Sequence, residues 1–201
     1  MAGADLYGVM GSLRSVREFS DRPVSDEALR QILEMTIRAP NGGNSQSWRF
    51  LVLRDPKVRR EVGRLYLEAL LQQVEAATPD EVLARPGITR TLRDAVHLAR
   101  RLGEAPPVQI LACIEKSGVS DPGSSIFPAV QNLMLAAWGL GLGTVLTTVW
   151  QHRDGAMRAL LGVPDDVEMA ALIPLGHPAR AYGPPKRRAI DDVVSYDRWS
   201  G

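Results

Sequence analysis

Cysteine is nearly absent from this chain. Cys113 stands alone among 201 residues, which excludes an intramolecular disulfide framework and any cysteine metal cluster. A surplus of one charge sign is missing too. With 24 Lys and Arg against 23 Asp and Glu, the net charge is +1, so no bulk field draws the chain to nucleic acid or an anionic membrane. Any anion site must be local. The most apolar stretch, residues 126–142, contains Gln131 and Asn132 and falls short of the roughly 20 residues of a spanning helix. The opening MAGADLYGVMGSLRSVREF has no basic start followed by an apolar run, so no signal peptide is expected and cytoplasm is the default. Hydrolytic and metal signatures are also lacking. There is no G-x-S-x-G, no H-E-x-x-H and no paired-carboxylate pattern. The three histidines, His97, His152 and His177, fall in different elements without ligand-like spacing. An enzyme without such groups must borrow its chemistry from a cofactor.

What is present is an ordinary folding mixture, 45% hydrophobic and 23% charged, long enough for one domain with its own core. Helices are expected over 5–13, over a stripe capped by Ser25 and ended before Pro40, from Asp55-Pro56 to about residue 76, and over 88–102. Val24 could staple onto Leu29. Strands are expected at 48–54, 107–114, 143–150 and 167–175. Residues 78–87 read as a linker, 116–125 as a loop, and Asp154 as the cap of a short helix. The stretch 126–142 is apolar all round, the mark of a helix buried on every side. A domain this small rarely surrounds a helix, so a partner subunit is expected to cover it. The tail from 176 holds too much apolar surface for a free linker and is expected to dock. Alternating strands and helices, taken alone, argue for a parallel sheet.

Several segments could carry chemistry. Arg14-Ser15-Val16-Arg17 offers two planar guanidinium forks with a hydroxyl between them, a set suited to phosphate. Lys186-Arg187-Arg188 is a second basic cluster. Each alone is matched by an ordinary solvated basic surface. In Asn41-Gly42-Gly43-Asn44-Ser45-Gln46, glycines permit close backbone approach and amides could read the polar edge of a flat ring, although a plain helix-to-strand turn would use the same residues. Gly139-Leu140-Gly141-Leu142-Gly143 has the wrong spacing and the wrong position for a dinucleotide loop. Thr147 and Thr148 could present hydroxyls from a strand, or simply reflect strand propensity. Cys113 reads as a small buried hydrophobe.

In their order along the chain, five segments resemble the nitroreductase family of FMN enzymes: Arg14 to Phe19, Ala39 to Trp48, the helix after Phe127, Pro174-Leu175-Gly176-His177-Pro178, and Pro185-Lys186-Arg187-Arg188. The stretch 67–104 is least similar. The resemblance implies a three-layer α+β fold with a central mixed, largely antiparallel sheet flanked by helices. It also implies a single domain over 1–201 with a C-terminal arm from about 177, and a long buried helix at a homodimer interface. It places the FMN phosphate against Arg14, Ser15, Arg17, Lys186 and Arg188, with Arg187 a weaker candidate. Asn41, Gly42, Asn44 and Gln46 would lie along the flavin, and Thr147 and Thr148 would border its ring. The activity implied is hydride transfer from NADH or NADPH, through flavin N5, to a small acceptor such as a nitroaromatic, a quinone or an activated alkene. No catalytic side chain, nucleic acid or membrane is implied. Reductive dehalogenation, flavin breakdown, non-catalytic flavin binding, a deazaflavin in place of FMN, or an interaction surface around Arg90, Arg93, Arg100 and Arg101 remain open. Ser47 stands where the family usually has proline, a departure that bears on the substrate side of the pocket.

Overall fold

The computed structural model describes residues 5–116 and 122–199. The helices start where short polar side chains satisfy the first orphan amides. Helix α1 (Leu6–Ser12) is capped by the Asp5 carboxylate, and α2 (Asp26–Thr36) by the Ser25 hydroxyl, which accepts from Ala28 N at 3.1 Å. Val24 and Leu29 share one core cluster, as a hydrophobic staple requires. After β1 (Trp48–Leu53), Asp55 caps α3 (Pro56–Gln73) with proline in its first turn. The expected linker 78–87 contains a helix instead, α4 (Pro79–Leu83), closed by a reciprocal capping box between Thr78 and Glu81. That Thr-Pro-x-Glu signal was legible in the sequence. Next come α5 (Arg90–Arg101), capped by Thr89, and β2 (Val108–Glu115).

Helix α6 (Pro122–Gly139) begins four residues before the expected start and takes in the end of the expected loop. Residues 117–121 of that loop lie outside the described residues. The strand expected over 143–150 is only two residues long, β3 (Gly143–Thr144). The chain then touches the sheet once more, at Thr147 opposite Leu172, before a 3-10 turn (Val149–Arg153) carries it away. That turn runs straight into α7 (Asp154–Leu161), so Asp154 is the first helical residue and not its cap. Strand β4 (Val167–Gly176) completes the sheet.

The strand order is β1-β2-β4-β3, and every ladder is antiparallel. Alternation of elements therefore misleads about strand direction, and the family resemblance predicts it correctly. The parallel component is one bridge, Ser15 to Thr144. Strands β2 and β4 are buried on both faces, and their alternation splits the core in two. Ile110, Ala112 and Ile173 pack in one cluster with Ile32 of α2 and Ile126, Ala129 and Leu133 of α6. Leu111, Cys113 and Leu172 pack in the other with Val62 and Tyr66 of α3, Val96 of α5 and Met157 of α7. This gives the three α+β layers.

Within one chain α6 is not buried on every side. Phe127 is 43% exposed and Gln131 is open as well. Residues 177–180 return to the start of the chain, where Ser20 N donates to His177 O and Ala179 N to Glu18 O, both at 2.9 Å. Beyond Pro184 the tail is largely exposed, interrupted by a 3-10 turn (Ile190–Asp192). No helix among the described residues is long and apolar enough to cross a membrane.

Candidate functional site: a basic cavity and a strained loop

The segment after α1 is held in place by Val16. Its amide donates to Thr144 O at 2.8 Å and its side chain is fully buried. Gly143 makes this possible. A Cβ there would meet Val16 Cγ2 at 2.6 Å. The flanking residues Ser15 and Arg17 are thereby presented to a cavity of 780 Å³, also lined by Arg14, Arg90, Lys186 and Arg187. The tail reaches this wall because Arg14 Nη1 donates to the carbonyls of Gly183 (3.3 Å) and Pro184 (3.1 Å). The two basic clusters, 169 to 170 residues apart along the chain at these bonds, thus converge. No carboxylate lines this cavity among the described residues. A neighbouring recess of 210 Å³ is different, since Glu18 and Asp94 face Arg180 and Arg90 there. Arg180 pairs with Glu18 at 3.2 Å and lies 4.5 Å above the Tyr182 ring.

Of the residues expected at a phosphate, Arg14, Ser15, Arg17 and Lys186 share the cavity. Arg188 is not part of its lining, whereas Arg187 is. Arg90 and Thr91 were not foreseen at this site. A signal did exist. Thr89 caps α5, so Arg90 sits in its first turn, where the helix dipole disfavours a cation.

The loop at 41–46 forms a second cluster. A 3-10 turn (Gly42–Asn44) places Gly43, Asn44 and Gln46 at φ of 59°, 54° and 52°. The left-handed region is comfortable for glycine and tolerable for asparagine, but strained for glutamine. Asn41 Oδ1 accepts from Gln46 N at 2.9 Å, and Asn44 Oδ1 accepts from Gln46 Nε2 at 3.3 Å. Gly42 N donates to Ser125 Oγ at 3.1 Å, tying the loop to the first turn of α6. The basic cavity meets the same helix at Gln131 and Met134, roughly two turns further along. Asn41, Gly42, Asn44 and Gln46 are absent from that lining, so a single chain does not bring loop and basic cavity together.

Thr147 is 7% exposed, with its hydroxyl 2.7 Å from the Tyr66 hydroxyl. Thr148 is half-buried and opens the following turn. Ser47 is buried, its hydroxyl 3.5 Å from that of Ser45. His177 lies elsewhere, in a groove with Arg22 and Leu140. Burial first, then the charge of Arg22, lowers its pKa, against a hydrogen bond to Pro23 that raises it. Burial pushes the Cys113 thiol up to about 11. No group of three or more His, Cys, Asp or Glu among the described residues could hold a metal ion.

Among the described residues the structure thus offers two candidate surfaces, a cavity wall of cations without a carboxylate and a separate loop rich in amides and glycine. Comparison with known proteins gives the family. The Nitroreductase family profile matches residues 12–177. A protein of Thermus thermophilus named NADH dehydrogenase is 32% identical over 194 residues, covering 90% of each chain. The rat iodotyrosine deiodinase 1 is 24% identical over 205 residues, covering 96% of this chain and 70% of that protein. A Desulfovibrio desulfuricans protein solved in complex with FMN superposes with a TM-score of 0.71 at 26% identity, covering 98% of this chain and 99% of that one. Iodotyrosine deiodinase bound to FMN and 3-iodo-L-tyrosine gives a TM-score of 0.77 at 24% identity, covering 97% and 100%. The chain belongs to the nitroreductase family.

Proposed function

We propose that the chain uses FMN to pass hydride from NADH or NADPH to a small acceptor, a nitroaromatic, a quinone or an activated alkene. Membership of the family makes it an NAD(P)H-dependent flavin oxidoreductase. The observation that carries the FMN assignment is the cavity of 780 Å³ with five cationic residues and no carboxylate on its lining. Its size falls within the roughly 300–1,000 Å³ usual for ligand sites. Its guanidinium forks and the Ser15 hydroxyl match a phosphate ester better than a neutral ligand. When bound, FMN supplies a ring that can take up and give back hydride, so no protein nucleophile is needed.

The residues of this chain bind, orient and exclude water. Arg14, Ser15, Arg17 and Lys186 would hold the phosphate, with Arg187 beside them, while Arg188 stands outside the lining. Arg14 has a second duty, because its bonds to Gly183 and Pro184 keep the tail against the cavity. Asn44 and Gln46 would offer amides to the ring edge, and Asn41 fixes the loop by accepting from Gln46 N.

We infer that the loop which completes each site comes from a second copy of the chain. Several large apolar side chains stand open: Tyr7 (83%) and Met10 on α1, Phe127 on α6, and Tyr196 and Trp199 (92%) on the tail. Such surface marks an interaction face, and a two-fold pairing would apply it twice. The reading is of an obligate homodimer with flavin at the interface, in the cytoplasm.

Anaerobic addition of NADH or NADPH tests the assignment. The purified protein is expected to carry FMN and to lose its visible absorption with one donor or both. A protein that holds FMN but is not bleached would be a flavin-binding protein without this activity. Reductive dehalogenation is the second reading, because the likeness to iodotyrosine deiodinase runs over 96% of this chain. The acceptor panel therefore includes an iodophenol beside a nitroaromatic, a quinone and an enone.

A further inference from the structure

The arm that carries Lys186 and Arg187 to the cavity is fastened to residues 14–20 before it arrives there. Gly176 passes so close to its neighbours that a Cβ would meet Pro107 Cδ at 2.7 Å and Phe19 Cδ1 at 3.1 Å. Pro178 bridges Phe19, Ala179 N donates to Glu18 O at 2.9 Å, and Arg14 Nη1 donates to the carbonyls of Gly183 and Pro184. Between these points lies a side-chain clamp. Arg180 holds both Nε and Nη2 3.2 Å from Glu18 Oε1, and its guanidinium lies 4.5 Å from the centre of the Tyr182 ring. Tyr182 in turn packs against the core cluster of Val16 and Phe19.

The clamp serves the course of the arm more than global stability. The Arg180–Glu18 pair is open to water, with side chains 41% and 46% exposed, and such a pair contributes little to folding. The Tyr182 phenol oxygen is buried without a partner among the described residues, which is unfavourable, so the residue is kept there for its ring. Arg180 shares its recess with Arg14, Arg17 and Arg90, where a further cation is tolerable because Glu18 pairs with it. It does not line the 780 Å³ cavity, whereas Lys186 and Arg187 do. From Tyr182 the chain runs through Gly183-Pro184-Pro185 to Lys186. Each proline fixes its own φ, so the direction set at the clamp is passed on to Lys186.

We infer that Arg180 is a positioning residue for the phosphate site: held between the Glu18 carboxylate and the Tyr182 ring, it sets the course of the arm and so aims Lys186 and Arg187 into the cavity. This rests on the FMN reading proposed above. Glu18 separates a clamp from a mere charge. A carboxylate beside a cationic wall repels a phosphate, so if charge alone counted, Glu18→Ala would tighten FMN binding. As the anchor of Arg180, its loss weakens binding instead.

Flavin fluorescence titration with FMN and with riboflavin compares wild type, Arg180→Met, Glu18→Ala, and a charge swap that combines Glu18→Arg with Arg180→Glu. Each single variant should weaken FMN roughly threefold to tenfold, at or below the low end of the tenfold to hundredfold of a lost charge-assisted contact. Riboflavin binding should change little, because Arg14 still holds the arm against the cavity, and the melting point should stay near wild type. The charge swap should restore the preference for FMN, and Lys186→Met should cost less in the Arg180→Met background than in wild type. An Arg180→Met variant that keeps the full preference for FMN, or a Glu18→Ala variant that binds FMN more tightly, overturns the proposal alone. Equal loss of both flavins with a lower melting point does so too, leaving the clamp purely structural. A wild-type protein that binds FMN no better than riboflavin overturns the phosphate assignment and this proposal with it.

Discussion

Arg17→Ala should weaken FMN binding and leave riboflavin binding unchanged. Arg14 and Arg17 line the same cavity but are engaged differently. Arg14 already donates to two tail carbonyls, whereas no described residue accepts a hydrogen bond from Arg17. The Arg17 guanidinium is therefore the more available of the two for a phosphate. A charge-assisted hydrogen bond contributes roughly 1.5–3 kcal/mol, which corresponds to about tenfold to over a hundredfold in Kd. Arg17 is only half-buried and other cations line the wall, so solvent screening and shared load favour the lower part of that range. Riboflavin lacks the phosphate and loses nothing. Arg14→Ala should behave differently, since it also frees the tail at Gly183 and Pro184, and should weaken both ligands. The double variant should fall short of additivity, because both groups act on one anion. Titration of flavin fluorescence with both ligands, on wild type, each single variant and the double, measures all of this. If Arg17→Ala loses FMN and riboflavin equally, Arg17 supports the fold and the phosphate assignment is wrong.

Gly143→Ala should destabilise the protein by about 1–3 kcal/mol, the usual cost of overpacking, because the new methyl would collide with the buried Val16. It should also weaken FMN binding, since Val16 carries Ser15 and Arg17 on either side, and denaturant unfolding together with FMN titration would show both. Asn44→Gly keeps the left-handed backbone at φ 54° and removes only the amide, so flavin affinity should fall without loss of stability; unchanged affinity would make Asn44 a turn residue. Cys113, buried with its thiol pushed up to about 11, should resist iodoacetamide at pH 8 in the native state and react once the chain is unfolded.

Local chemistry was the part of this protein most legible in its sequence. Ser25 and Asp55 cap the helices they were expected to cap, because a cap depends on three or four neighbouring residues only; Asp154 fails as a cap because a 3-10 turn feeds straight into its helix. Strand direction depends on distant partners, so alternation along the chain could not supply it, whereas resemblance to a family could. The strand after Gly143 was read too long for a similar reason. Its β-branched residues Thr144, Val145, Thr147 and Thr148 suit a strand, but they meet β4 over only two residues before the chain turns away. At the candidate site, neither basic motif alone predicted that Arg14 meets the tail; the family resemblance implied it, and Lys186 and Arg187 share the cavity with Arg14 while Arg188 does not. Arg90 was read only as part of a candidate interaction surface with Arg93, Arg100 and Arg101; its place in the first turn of α5, disfavoured for a cation, is a local signal, but which way that turn faces depends on distant packing. The Tyr66–Thr147 bond spans 81 residues and leaves no trace in sequence spacing.

The central claim is that the flavin site takes its basic wall from one protomer and its amide loop from its partner. Subunit complementation tests it directly. Arg17→Ala breaks the wall and a combined Asn44→Gly, Gln46→Gly variant breaks the loop, so each homodimer should bind FMN poorly. When the two chains are co-expressed with different tags and the mixed dimer is isolated, a shared site leaves one complete wall facing one complete loop. The account predicts one tightly bound FMN per mixed dimer and about half the wild-type rate of donor oxidation, each of two equal sites acting alone. A mixed dimer that binds FMN no better than either parent would contradict it, because wall and loop would then serve one site within the same chain.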